Sequence, residues 1–204
     1  MAKVKLTKTE LKTQSDALKR FQRFLPMLQL KKQQLQAELA VIAARRQEVA
    51  ARESAAYASL SGWVTLFSET DVKLDGLVTV DRVVTETSNV AGVPISVFTR
   101  IDTTAADMDL FTTPAWTDNA VTMLTAILSL KAEHRVLEMQ HELITAELRT
   151  TAQRVNLFEK VKIPECRENI RVIKIAIGDA QTAAVTRGKI AKSRSRQAEE
   201  EDAA

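Results

Sequence analysis

The chain has 204 residues, is 45% apolar and 27% charged, and carries a formal net charge of +3. Five Gly and four Pro are too few for a turn-rich β protein or for a collagen-like or low-complexity chain. Aromatic content of 4% is poor for an aromatic recognition surface, and the single Cys166 excludes an intramolecular disulfide and a multi-cysteine metal site. No apolar run reaches the roughly eighteen residues a membrane span needs. The charged start MAKVKLTKTE lacks the apolar stretch of a signal peptide, so no direct membrane insertion is expected.

Residues from about 7 to 66 are rich in Leu, Gln, Ala, Lys and Glu, all good helix formers. Leu11, Leu18 and Leu25 share one heptad position, followed by Lys32, Leu39, Arg46 and Glu53. The other position reads Gln14, Phe21, Leu28, Leu35, Ile42, Val49 and Ala56. The alternating three- and four-residue steps are those of a coiled-coil seam. After Ile42 the stripe narrows to small residues, which let another helix approach closely. Thr7 with Glu10 forms a capping-box pattern at the start. Pro26 lacks a backbone donor, so it is expected to kink or divide this helix.

The middle stretch, 67–114, holds Gly76, Gly92, Pro94 and Pro114 among many Thr, Val and Asp. Leu77–Val84 and Ile95–Thr99 favour strand, and the turn-bearing Glu86–Pro94 lies between them. A β-hairpin is expected. Its open edges call for cover by a helix or a partner.

From about 115 the helix-former composition returns. One position reads Trp116, Met123, Leu130, Leu137, Ile144, Thr151 and Phe158, the other Ala120, Ile127, His134, His141, Leu148 and Val155. Thr113, Pro114 and Asp118 suit a helix start. Beyond Phe158 the register drifts by about one residue, and the stripe reads Ile163, Cys166, Ile170, Ile173, Ile177 and Ala180. Pro164 sits inside that drift, where a gentle kink is the simplest reading. The helix ends near Gly178 or continues past Gly188. A basic run from Ser193 and the acidic Glu199–Asp202 then read as a frayed, solvated tail.

Helices of roughly sixty to seventy-five residues would each span about 90 to 110 Å, far beyond the usual globular helix of about a dozen residues. The fold class expected is therefore all-α dominated: a long antiparallel two-helix coiled coil with a small middle module containing a β-hairpin. The parts are an N-terminal long helix (1–66), the middle module (67–114), a C-terminal long helix (115–192) and a charged flexible tail (193–204). A parallel dimer between two chains is the rival arrangement. Leu11, Leu18, Leu25, Leu28, Leu35, Leu130, Leu137, Ile144 and Leu148 are the expected seam.

No catalytic constellation stands out. His134 and His141 lie two turns apart, about 10 Å, too far for one zinc ion to bridge. They read as seam histidines packed or hydrogen-bonded across the coil. Cys166 reads as inert packing, since no His is near it in sequence. Gly-rich phosphate loops are absent. Catalytic residues, cofactors and metals are all expected to be none. Basic clusters occur at Lys3–Lys12, Lys19–Arg23, Lys31-Lys32, Arg45-Arg46 and Arg187–Arg196. In an antiparallel coil the first and last meet at one end. A solvated face is the plain reading and an acidic protein surface the next. Nucleic acid ranks below both, because stacking aromatics and groove-reading motifs are missing.

The segment Thr150–Pro164, containing Arg154-Val155-Asn156 and Ile163-Pro164, resembles the most recognisable part of the D subunit of V-type and A-type rotary ATPases. Ile170, Ile173 and Ile177 continue the likeness. Asn89–Pro94 resembles the family's middle segment, and Leu28, Lys31, Lys32 and Leu35 its first helix. The likeness covers essentially the whole chain. Pro26, Leu157-Phe158 and the diluted charge of Ala180–Val185 depart from the pattern and suit a divergent branch. The resemblance implies a non-catalytic central rotor shaft on the cytoplasmic face of a membrane, coupling ion translocation to ATP synthesis or hydrolysis. It implies nucleotide-binding A and B subunits around the shaft, the small F subunit of the central stalk on it, and a funnel-shaped subunit joining it to the membrane rotor ring. Lys31, Lys32, Arg187, Lys189 and Lys192 are expected to face the hexamer. Arg154 and Asn156 are expected to join inter-helix contacts or hold the companion subunit. A structural coiled-coil stalk or scaffold of another assembly is the alternative.

Overall fold

In a computed structural model, described over residues 4–62, 76–106, 114 and 116–202, long helices dominate. Helix α1 spans Lys8–Ser61, strand β1 Val78–Val90, strand β2 Val93–Ala105, helix α2 Thr117–Leu157 and helix α3 Ile163–Asp202. A π-helical turn, Phe158–Lys162, separates α2 from α3. Thr113, proposed as part of the second helix start, lies outside the described residues. The chain divides into two units, Lys31–Thr151 and Met1–Leu30 with Ala152–Ala204.

At the start of α1, the Glu10 N–H donates to Thr7 Oγ1 across 3.3 Å, the cap the sequence pattern anticipates. Pro26 lies inside α1, which runs on unbroken. The helix is therefore not divided there. Pro26 and Gln22 are both on the exposed side, so the Gln22 carbonyl that loses its donor can be hydrated. Helix α2 begins at Thr117, whose hydroxyl donates to the Pro114 carbonyl at 2.7 Å.

In the unit Lys31–Thr151, α1 and α2 run antiparallel, and the hairpin lies over them. Leu35, Ile42, Val49, Leu137 and Ile144 from the helices and Ile95 from β2 form one buried cluster. These helical positions repeat every seven residues within each helix. Leu39, Leu130 and Leu148 pack at its margin with Val90, Ala91, Val93 and Val97 of the hairpin. Buried Gln140 donates from Nε2 to the Ser96 carbonyl, tying α2 to β2. The Val90–Val97 part of the hairpin is thus covered by helices of its own chain, while Val80 and Val83 stay exposed.

The hairpin is longer, and its turn tighter, than the composition suggests. Each strand has 13 residues, and only Ala91 and Gly92 separate them. Both have positive φ, 50° and 82°, as a two-residue turn matching the strand twist requires. The Gly92 N–H donates to Asn89 Oδ1 at 2.8 Å. Residues 86–90, expected in the turn, pair instead with 93–97. Extra residues at Asp81 and Thr99 shift the register between Val80/Arg82 and Val84/Thr85.

In the unit of 1–30 with 152–204, Leu11, Leu18, Phe21, Leu25 and Leu28 are half-buried. Val155, Ile163, Cys166 and Ile173 are buried. The Phe21 and Phe158 rings meet at 4.9 Å between centroids. The run from Ser193, expected to fray, is helical through Asp202. It contains no Pro or Gly, and six of its ten residues up to Asp202 are Arg, Gln or Glu, which cost little in a helix.

Candidate functional site

The seam positions differ in depth. Leu35 and Ile144 are fully inaccessible, Leu137 is buried, and Leu130 and Leu148 are half-buried against the same cluster. Leu11, Leu18, Leu25 and Leu28 are half-buried in the other unit. Cys166 is buried, and its thiol is pushed up from the ordinary range mainly by that burial, with the Glu165 carboxylate adding to it. It is held as an unreactive thiol.

Charged residues flank the seam where heptad geometry puts them. Lys31 Nζ meets Glu147 Oε1 at 2.8 Å. Arg45 and Arg52, seven apart on α1, both reach Glu133, at 3.3 and 3.5 Å. Lys31, Arg45 and Arg52 each directly precede a position of the first set on α1, and Glu133 and Glu147 each directly precede a position of the second set on α2. Such flanking positions pair across antiparallel helices and set partner direction. Low numbers on α1 meet high numbers on α2, which fixes the antiparallel sense within this unit. Arg46 adds a contact to Glu138 at 3.5 Å. His134 Nδ1 lies 3.5 Å from Glu53 Oε2. The histidine therefore works across the coil, as expected of a seam residue, while His141 is half-buried.

The residues proposed as partner-facing fall into two groups. Lys31 is half-buried in its pair with Glu147, and Lys32 beside it is half-buried. Arg154, Asn156, Arg187, Lys189 and Lys192 are exposed. From Asp179 to Arg196 every residue of α3 is exposed, including Val185 and Ile190. After Asp179 the charges there are all basic until Glu199.

Sequence reasoning missed Glu133 and Gln140. Both are polar and buried, and polarity read along a helix suggests solvent. Their place directly before seam residues His134 and His141 was the available signal. A cavity of about 140 Å³ lies beneath the hairpin, lined by Glu38, Arg45, Val97, Glu133 and Gln140 among others. Of its polar groups, Arg45 pairs with Glu133, and Gln140 donates to the Ser96 carbonyl. Among the described residues no cluster of three or more His, Cys, Asp or Glu is placed to hold a metal. Among them too, no helix is long and apolar enough to cross a membrane.

Long helices paired through a heptad seam, flanked by ion pairs and capped on one face by a hairpin, define a coiled-coil stalk protein. Residues 10–193 match the family of the ATP synthase D subunit. The V-type ATP synthase D subunit of Borreliella burgdorferi is 44% identical over 193 residues, covering 95% of each chain. That of Chlamydia abortus is 31% identical, covering 98% of this chain and 97% of its own. That of Chlamydia pneumoniae is 32% identical, covering 94% and 92%. The chain belongs to the ATP synthase D-subunit family and is a non-catalytic central-stalk component of a multisubunit V/A-type rotary ATPase.

Proposed function

We propose that this protein is the turning shaft of its complex, seated peripherally on the cytoplasmic face of the membrane. The A and B nucleotide-binding subunits surround the coil, the small F subunit binds it, and a funnel-shaped subunit links it to the membrane rotor ring. Ion flow through the ring turns the shaft. Its asymmetric surface then favours a different state of each nucleotide site in turn, a population shift driven by differential contact. Hydrolysis runs the same cycle backward. The middle module marks the division between the two long helices, and the shaft contributes coupling without touching reacting atoms.

The observation that carries this reading is the antiparallel seam with paired charges on its flanks. A two-stranded coil resists bending and twisting better than a lone helix, and torque transmission needs that stiffness. The exposed basic surface of α3 at Arg187, Lys189 and Lys192 suits an acidic bearing. Lys31 and Lys32 are assigned to the same hexamer, and Arg154 and Asn156 to the small companion subunit.

Affinity purification of the tagged protein from gently solubilised membranes tests the assembly. Recovery of two large nucleotide-binding subunits, a small stalk subunit and the ring is expected. Recovery of the chain alone, or with unrelated stalk components, would refute the reading. The double charge reversal K189E/K192E is expected to weaken hexamer recovery at least tenfold. Unchanged recovery and coupling would remove those lysines from the bearing.

A further inference from the structure

The apolar stripe facing α1 in the unit of 1–30 with 152–204 reads Val155, Phe158, Ile163, Cys166, Ile170 and Ile173. Its steps are three, five, three, four and three residues. A regular α-helical seam has no five-residue step, because an additional residue turns every later side chain by about 100°. The structure puts a π-helical turn, Phe158–Lys162, at that step, with the Ile163 N–H donating to the Phe158 carbonyl five residues back. The wider turn takes up the additional residue. Phe158 therefore still meets Phe21 on one side of it, while Ile163, Cys166 and Ile173 stay buried on the other.

Backbone hydrogen bonding is also reduced just past the same turn. Pro164 follows directly and offers no N–H, so the donor of the next turn is missing. Glu159, Lys160 and Val161 are exposed, so water reaches the carbonyls there. A π-turn inside an α-helix marks a sequence under constraint and frequently a functional one.

We propose that the Phe158–Lys162 turn is a built-in yielding joint: it keeps the seam in register across an inserted residue and is where this long helix opens and twists first. As a mechanical element of the shaft it rests on the rotor reading above. Its local mobility does not, and is measurable on the chain alone.

Hydrogen–deuterium exchange on the full-length chain tests it. Amides of 158–167 are expected to exchange at least tenfold faster than those of 168–177. Equal protection of the two stretches would overturn the proposal. Deleting Val161 together with Pro164→Ala gives steps of three, four, three, four and three, with no π-turn required. Val161 is exposed, so no core contact is lost. In that variant exchange at the joint is expected to slow to the level of its flanks. Fast exchange persisting there in a folded variant would refute the role of the inserted residue. If the deletion fails to fold, Pro164→Ala alone restores the missing donor and is expected to slow local exchange about threefold. No change would refute the proline's part.

Discussion

Arg45 and Glu133 stand 88 residues apart in the chain, yet Arg45 Nη2 donates to Glu133 Oε1 across 3.3 Å. Arg52, one heptad on, reaches the other carboxylate oxygen at 3.5 Å. The Glu133 side chain is only 11% exposed, whereas those of Arg45 and Arg52 are 55% and 53% exposed. Two hydrated guanidinium groups thus balance one carboxylate drawn against the seam. Solvent screening keeps the net contribution small. Glu133→Gln preserves shape and removes the charge. It is expected to cost about 1 kcal/mol, read as a lower urea midpoint by far-UV circular dichroism. An unchanged or higher midpoint would mean that the pair steers helix direction without stabilising the fold.

Depth in the seam is expected to order the cost of truncation. Leu35 and Ile144 are both 0% exposed. Alanine at either should destabilise by about 3 kcal/mol, from lost transfer energy and the cavity left behind. Leu30 is 59% exposed, and Leu30→Ala should change stability by less than about 0.5 kcal/mol. Similar losses at Leu35 and Leu30 in chemical denaturation would argue against the seam as the main source of stability.

Ala91 carries a side chain at φ 50°. That left-handed conformation costs roughly 1 kcal/mol for a residue with a Cβ, and glycine avoids the cost. Ala91→Gly is therefore expected to raise the melting temperature, and Gly92→Ala, at φ 82°, to lower it. A Cβ at Gly92 meets nothing within 4 Å, so that loss is conformational rather than steric. If Ala91→Gly lowered the melting temperature, flexibility gained in the unfolded chain would outweigh the relief at the turn.

Cys166 makes a pH-dependent prediction. Burial raises its thiol above the ordinary value of 9.0. A group held neutral in the fold ionises first in the unfolded chain. Stability from this site is therefore complete below about pH 9 and falls as pH rises beyond it. At pH 8, alkylation of native Cys166 should run at least about tenfold slower than in denaturant, since the thiolate is the nucleophile. Equal rates would place the thiol in contact with solvent.

Long-range periodicity made much of this architecture legible. The heptads named the buried Leu35, Ile42, Val49, Leu137 and Ile144, because a helix repeats its facing side chains at a fixed angle whatever its partner. The capping pair Thr7 and Glu10 and the existence of a hairpin were legible for the same local reason. The one-residue drift after Phe158 was visible too, but a drift admits a kink, a break or a π-turn. Only packing chooses among them, because only the facing helix shows which side must stay dry.

Other features were decided between elements. Pro26 is a strong local breaker, yet the helix on either side of it holds the chain helical. Residues 86–90 have turn-like composition, but the two-residue turn at Ala91-Gly92 brings them into pairing with β2. Glu133 and Gln140 look like solvent residues along α2 and become interior ones only because α1 and β2 lie against it. Local propensity and heptad spacing act within a few turns of backbone and so can be read from the chain. Register, burial of polar groups and the choice of a π-turn depend on a second surface, which exists only once the chain has folded back on itself.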